Sequence, residues 1–190
     1  TCGGIPHVPA SASEVYAHTF PRMAAKTRQY YDRYPADVER VAALADALEA
    51  QKPVLPDGSP MTVERLQLMG SDFGMKPSFE RMHWIIDHAF VDGDGTLTCG
   101  ASVSDSFLMR AFERTNTRTN PLYWTLQEFI YADGDTMPIR WAAAEEKAHR
   151  AEFDTLARPL MFTGEAMFPW MFEQMPELMP FKPAMDLLME

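Results

Sequence analysis

Two carboxylates stand where a carboxylate is expensive to bury. Glu128 lies in Trp124-Thr125-Leu126-Gln127-Glu128-Phe129-Ile130-Tyr131. A helix there would set Trp124, four residues before it, and Tyr131, three after it, beside the carboxylate. Glu165 is the one charge in Phe162-Thr163-Gly164-Glu165-Ala166-Met167-Phe168-Pro169-Trp170-Met171-Phe172. A carboxylate among aromatic rings costs free energy unless a cation joins it, so the chemistry on offer is recognition of a positively charged group. Two plainer readings stand beside this one. Glu128 can be a solvated helix position, and Thr163 can cap a helix whose dipole Glu165 complements from the first turn.

Other chemistries find less support. A nucleophilic serine would need a Gly-x-Ser-x-Gly elbow, and the sequence has none. His83 and His88 lie five apart, whereas two metal ligands on one helical face need three or four, and His7, His18 and His149 are isolated. Cys2 and Cys99 form no CxxC pair, so no metal knuckle is expected, and two lone cysteines fit a reducing, cytoplasmic setting. There is no phosphate-cradling glycine loop, and no cofactor is expected.

Asp92-Gly93-Asp94-Gly95-Thr96-Leu97-Thr98 matches the nucleophile motif of the haloacid-dehalogenase phosphatases. That chemistry needs a buried parallel strand ending at the first aspartate. The preceding residues, His83 to Val91, read instead as the end of an amphipathic helix, and the Asp/Gly stretch as a turn. A calcium loop with Gly95 at its sixth position would need Phe90 as a ligand, which it cannot be.

The elements that must position these residues are helical. Ser11 or Ser13 can cap a segment reaching Tyr34, with Pro21 kinking or restarting it. Pro35 opens a helix that Lys52-Pro53 ends. Val54 to Pro60 reads as a turn or tiny hairpin, after which Thr62 caps Val63 to Met69. Helical spacing recurs over Pro77 to Phe90 and Ser104 to Arg114. Asn120-Pro121 starts a helix through Tyr131, with Leu122, Leu126, Phe129 and Ile130 on one side. Ile139 to Phe153 is rich in alanine and glutamate, a further helix. The C-terminal third should be short helices broken at Pro169, Pro176, Pro180 and Pro183. The expected fold class is all-α, a multi-helix domain with at most a tiny hairpin.

The composition agrees with a globular chain. Of 190 residues 46% are hydrophobic, and fourteen methionines suit adaptable core packing or a deformable apolar pocket. The net charge of −10 with no basic cluster repels nucleic acid and anionic membrane, while a cationic or neutral small ligand is accepted more easily. No apolar stretch is long enough to span a bilayer.

Several segments in order carry a family likeness: Thr1-Cys2-Gly3-Gly4-Ile5-Pro6, Tyr30-Tyr31-Asp32-Arg33-Tyr34-Pro35, Leu55-Pro56-Asp57-Gly58, Phe79-Glu80-Arg81-Met82-His83-Trp84, Asn120-Pro121-Leu122-Tyr123, Glu128-Phe129-Ile130-Tyr131, and Phe162-Thr163-Gly164-Glu165 with Pro169-Trp170-Met171-Phe172. Over nearly its whole length the sequence resembles the helical cap of the larger proline iminopeptidases (prolyl aminopeptidases), serine peptidases of the α/β-hydrolase fold. The resemblance implies a cap over residues 11–175, with 1–10 ending a core strand and 176–190 leading back to the hydrolase core. It implies that the serine, acid and histidine of the triad lie outside the chain. The 190 residues alone then hold no catalytic residue and are expected to be inactive. It also implies that Glu128 and Glu165 bind the free amine of a peptide with N-terminal proline. Trp124, Tyr131, Phe168 and Trp170 are the candidates for the proline-ring pocket. Partners on this reading are the peptide and the hydrolase core of the same polypeptide. The rival from another class is a free-standing helical domain that binds a protein partner through its Met-rich C-terminal region.

Overall fold

The computed structural model describes residues 10–91, 101–131 and 138–189. Thr1 to Pro6, both cysteines and the Asp92–Asp94 motif lie outside the described residues. Those that are described form helices and short turns, with two isolated antiparallel bridges, Val54 to Pro60 and Phe90 to Val103, as the only strand-like pairing among them. The all-α expectation holds.

By its internal contacts the chain divides into two compact units. One comprises Thr1–Thr19, Thr117–His149 and Ala166–Glu190, and the other Phe20–Asn116 and Arg150–Glu165. Helix α1 (Ala12–Arg33) contributes to both. Ser11 caps it, its hydroxyl accepting the Glu14 N–H at 3.2 Å. Pro21 neither stops nor restarts this helix. Phe20 and Ala24 on either side of the proline are buried, and packing outweighs the local defect.

The larger unit continues with α2 (Asp37–Gln51), α3 (Val63–Leu68), α4 (Phe79–Asp87) and α5 (Asp105–Thr115). Local chemistry sets their ends. Thr62 accepts the Arg65 N–H and Ser104 accepts the Phe107 N–H, each satisfying a first-turn donor. Lys52 closes α2 in a left-handed conformation, its N–H on the Leu48 carbonyl. The turn after it is a small hairpin: Asp57 accepts from both the N–H and the hydroxyl of Ser59, and Gly58 takes a φ of +82°. The core of this unit joins Tyr30, Leu44, Leu66, Met82, Phe107 and Phe162.

Helix α4 stops at Asp87, short of the expected Phe90. Phe90 instead pairs with Val103, with the Ser104 N–H on the Ala89 carbonyl and the Val91 N–H on the Ser102 carbonyl. The phosphatase motif is therefore approached by an antiparallel bridge, not by the parallel strand that chemistry needs.

The smaller unit holds α6 (Pro121–Leu126), α7 (Ala142–Ala148), α8 (Met171–Gln174) and α9 (Lys182–Met189). Asn120 caps α6, accepting the Tyr123 N–H, and Pro121 supplies a first-turn residue with no N–H to satisfy. Two expectations are corrected here. The alanine-rich helix begins only at Ala142, because Trp141 sits at φ +55°, and it ends at Ala148. Pro183 does not break a helix but stands in the first turn of α9, where its missing N–H costs nothing.

Candidate functional site

Helix α6 ends at Leu126, five residues before the expected Tyr131, and this short stop places Glu128. The chain passes into a 3-10 turn at Phe129–Tyr131, and the Glu128 side chain is wholly buried. Its two oxygens accept the N–H groups of Ala142, at 3.2 Å, and Ala143, at 2.9 Å. Those are orphan donors at the start of α7, whose own N-cap residue, Trp141, supplies no side-chain cap. Ala142 and Ala143 are both buried and carry only methyl groups, which lets a carboxylate approach their backbone. Glu128 is thus neither a solvated position nor a helix-face residue, as the α6 pattern suggested. It is a helix cap supplied from outside the helix.

Burial pushes the Glu128 carboxyl up to about 7, against the lowering effect of the Ala143 and Ala142 N–H groups and the Tyr16 hydroxyl. The Tyr16 hydroxyl is itself raised above its ordinary range, first by burial and then by the charge of Glu128. The Tyr16 ring meets Tyr131 edge to face, with centroids 5.8 Å apart. Glu128 and Tyr16, both buried, and the half-buried Tyr131 therefore form one group. Tyr16 is not among the candidates that the sequence offers.

Gln127, beside Glu128, is the other residue the sequence reading missed. It is 1% exposed, and neither its side-chain oxygen nor its nitrogen has a hydrogen-bond partner among the described residues. A buried amide without partners is rare and costly, and its polarity is available to something else. A polar residue at the end of an apolar helix pattern was the only signal in the sequence.

The ring candidates fall into separate pairs. Phe168 stacks on Trp170 at 6.4 Å, and the Lys147 ammonium lies 5.5 Å from the Phe168 centroid. Trp124 meets Tyr123 edge to face at 5.8 Å. Among the described residues, no ring contact joins Trp124 or the Phe168–Trp170 pair to Tyr131.

Glu165 belongs to the larger unit. Residues 162–165 are not a helix, so Thr163 is not an N-cap. The stretch is tied down through its backbone: the Thr163 N–H donates to the Gln67 carbonyl at 2.9 Å and the Phe162 N–H to the Thr27 hydroxyl at 3.2 Å. Gln67, fully buried, holds the same region through bonds from its amide to the carbonyls of Phe153 and Met161. Glu165 is exposed, and partial burial raises its carboxyl above the usual carboxylate range. Among the described residues no cation or donor bonds it. No three His, Cys, Asp or Glu side chains among the described residues are grouped to hold a metal.

The chain is 36% identical over 192 residues to a proline iminopeptidase of Aeromonas sobria, an alignment that takes in 99% of this chain. The chain is a homologue of the proline iminopeptidases. It is also 30% identical over 177 residues to the proline iminopeptidase aneH of Aspergillus aculeatus. This proline iminopeptidase homologue spans only about two fifths of its curated relatives, 42% of the first and 38% of the second. No family model matches it. Among the described residues no helix is long and apolar enough to cross a membrane.

Proposed function

We propose that this chain is the helical substrate-recognition cap of a proline iminopeptidase, a serine peptidase that releases N-terminal proline. On this reading the cap takes in residues 11–175. The segments 1–10 and 176–190 connect it to an α/β-hydrolase core of the same cytoplasmic polypeptide. That core supplies the triad, and the chain by itself does not hydrolyse peptides.

The observation that carries the reading is the chemistry of Glu128. Its carboxyl is buried and raised well above its ordinary range, and the bonds from two N–H groups and the Tyr16 hydroxyl still leave acceptor capacity unused. A substrate ammonium would supply the missing cation, favour the ionised form and hold the scissile carbonyl in place for the serine. Glu165, exposed and bonded to no cation or donor among the described residues, is assigned as the second carboxylate on the amine. Tyr131, next to Glu128, is the best supported wall for the proline ring, with Trp124, Phe168 and Trp170 assigned to the same pocket. The side chains of Leu122, Leu126 and Ile130 are 55%, 50% and 66% exposed, which suits a surface that the hydrolase core covers.

The test is steady-state kinetics of the full-length protein on a proline arylamide. Glu128→Gln and Glu165→Gln should each lower kcat/KM at least about tenfold, the loss of a charge-assisted bond, with folding intact. Near-normal kcat/KM in both variants would sink the amine assignment. A protein whose flanking sequence holds no Gly-x-Ser-x-Gly elbow would sink the cap reading itself.

A further inference from the structure

The chain carries a net charge of −10, yet three arginines of the larger unit gather on one cleft. The cleft, about 390 Å³, opens between α4 and α5 and is lined by Arg81, Trp84, Phe107, Arg110, Glu113 and Arg114 among others. Two carboxylates answer these three guanidiniums. Asp72, 3% exposed, lies 3.1 Å from Arg81 and 3.9 Å from Arg114. Glu113 lies 2.9 Å from Arg110. One positive charge is left over. Arg81 is further committed through its second terminal nitrogen, which donates to the Pro77 carbonyl at 2.8 Å. Arg110 and Arg114 each use one terminal nitrogen on a carboxylate, so most of their five N–H donors remain to be used.

An apolar surface stands beside these donors. Trp84 is 60% exposed, an unusual position for the largest aromatic side chain, while Phe107 is buried at the cleft. Guanidinium forks match the two-oxygen edge of a carboxylate or phosphate, and an indole face matches a flat apolar body. The volume is within the range of small-molecule sites. We propose that this cleft binds a small organic oxyanion, its charged head on Arg110 and Arg114 and its flat body on Trp84. The ligand is opposite in charge to the amine assigned to Glu128, and the proposal does not rest on that assignment.

The test is fluorine NMR of the full-length protein carrying 5-fluorotryptophan, with the Trp84 signal identified as the one lost in Trp84→Phe. Benzoate and phenyl phosphate distinguish a carboxylate from a phosphate source, and inorganic phosphate and phenol separate the head from the ring. The expected result is a saturable shift of the Trp84 signal with benzoate, phenyl phosphate or both, weakened by salt. Arg110→Gln and Arg114→Gln should each weaken it about tenfold. Arg110 is exposed, so its variant should leave the other fluorotryptophan signals unmoved and keep the test valid if Arg114→Gln fails to fold. No saturable shift with either organic anion would overturn the proposal. So would phenol binding as well as phenyl phosphate, inorganic phosphate binding as well as either, or unchanged binding in Arg110→Gln.

Discussion

The Glu128 carboxylate accepts the N–H of Ala143 across fifteen residues of chain, at 2.9 Å. One side chain therefore both completes the start of α7 and carries a charge that its surroundings disfavour. Burial raises the Glu128 carboxyl from its ordinary 4.5 to about 7. A carboxyl raised on folding adds stability that is full below the unfolded value and lost as pH climbs to the folded one. Over that window the loss reaches about 3 kcal/mol. Glutamine keeps one acceptor for the two N–H groups and does not ionise. In urea melts, the stability of Glu128→Gln relative to the unaltered protein should thus improve by about 3 kcal/mol between about pH 4.5 and pH 8. A difference that stays flat with pH would mean that Glu128 ionises freely in the folded chain.

Gln127 gives a prediction with two separable outcomes. Its buried amide has no partner among the described residues, so it costs stability unless a ligand uses it. Gln127→Met keeps the length and removes the polar atoms. It should raise the unfolding free energy by about 1 kcal/mol in denaturant melts. If the amide also touches substrate, kcat/KM of the full-length protein falls in the same variant, a stabilising change with a loss of activity. A variant less stable than the parent would show that the amide is satisfied in solution.

What could be read from the sequence was what neighbouring residues decide. Thr62, Ser104 and Asn120 each act on a donor three positions away, and the helices they start stand where the spacing puts them. The stop of α6 was not legible. Leu122, Leu126 and Ile130 repeat like a buried stripe, yet all three are exposed, and Glu128 leaves the helix to reach Ala142 and Ala143. Likewise Thr163 looked like a cap, but its backbone N–H goes to Gln67, ninety-six positions earlier in the chain. Bonds of that range leave no periodic trace. For the same reason both glutamates stood out by residue type and neighbours, while their surroundings emerged only with the fold.

Asp37 anchors a buried polar group of the larger unit. It is fully buried, and it accepts bonds from the Tyr30 hydroxyl, from Arg40 at 3.0 Å and from His83 at 2.9 Å. The His83 ring in turn stacks on Tyr34, centroids 4.1 Å apart and nearly parallel. Burial and the bond to Asp37 hold the Tyr30 hydroxyl far above its ordinary range, so it stays a donor. Asp37→Ala leaves that hydroxyl buried without an acceptor and should cost about 3 kcal/mol or more in denaturant melts. Tyr30→Phe removes the donor and should cost only about 1 kcal/mol. Equal losses in the two variants would mean the carboxylate does no more than accept the Tyr30 bond.

Gly70 connects the core of the larger unit to Glu165. It sits in the 3-10 turn Met69–Gly74, and a Cβ placed on it would lie 2.3 Å from the Thr163 carbonyl oxygen and 2.5 Å from the Phe162 Cβ. Neither neighbour is the far end of a flexible side chain, so one backbone must move away from the other. The stretch that would move is the one fixed by the Thr163 to Gln67 bond and followed by Gly164 and Glu165. Gly70→Ala should therefore lower stability by about 2 kcal/mol or more, as overpacking does. It should also reduce kcat/KM of the full-length protein if Glu165 meets the substrate amine. Gly74→Ala is the control, because it has the same change in backbone entropy and nothing within 4 Å of the added carbon. It should melt within about 0.5 kcal/mol of the parent. Should Gly70→Ala match that control, the close approach of the turn to Phe162 and Thr163 would not exist in solution, and the path from Gly70 to Glu165 would go with it.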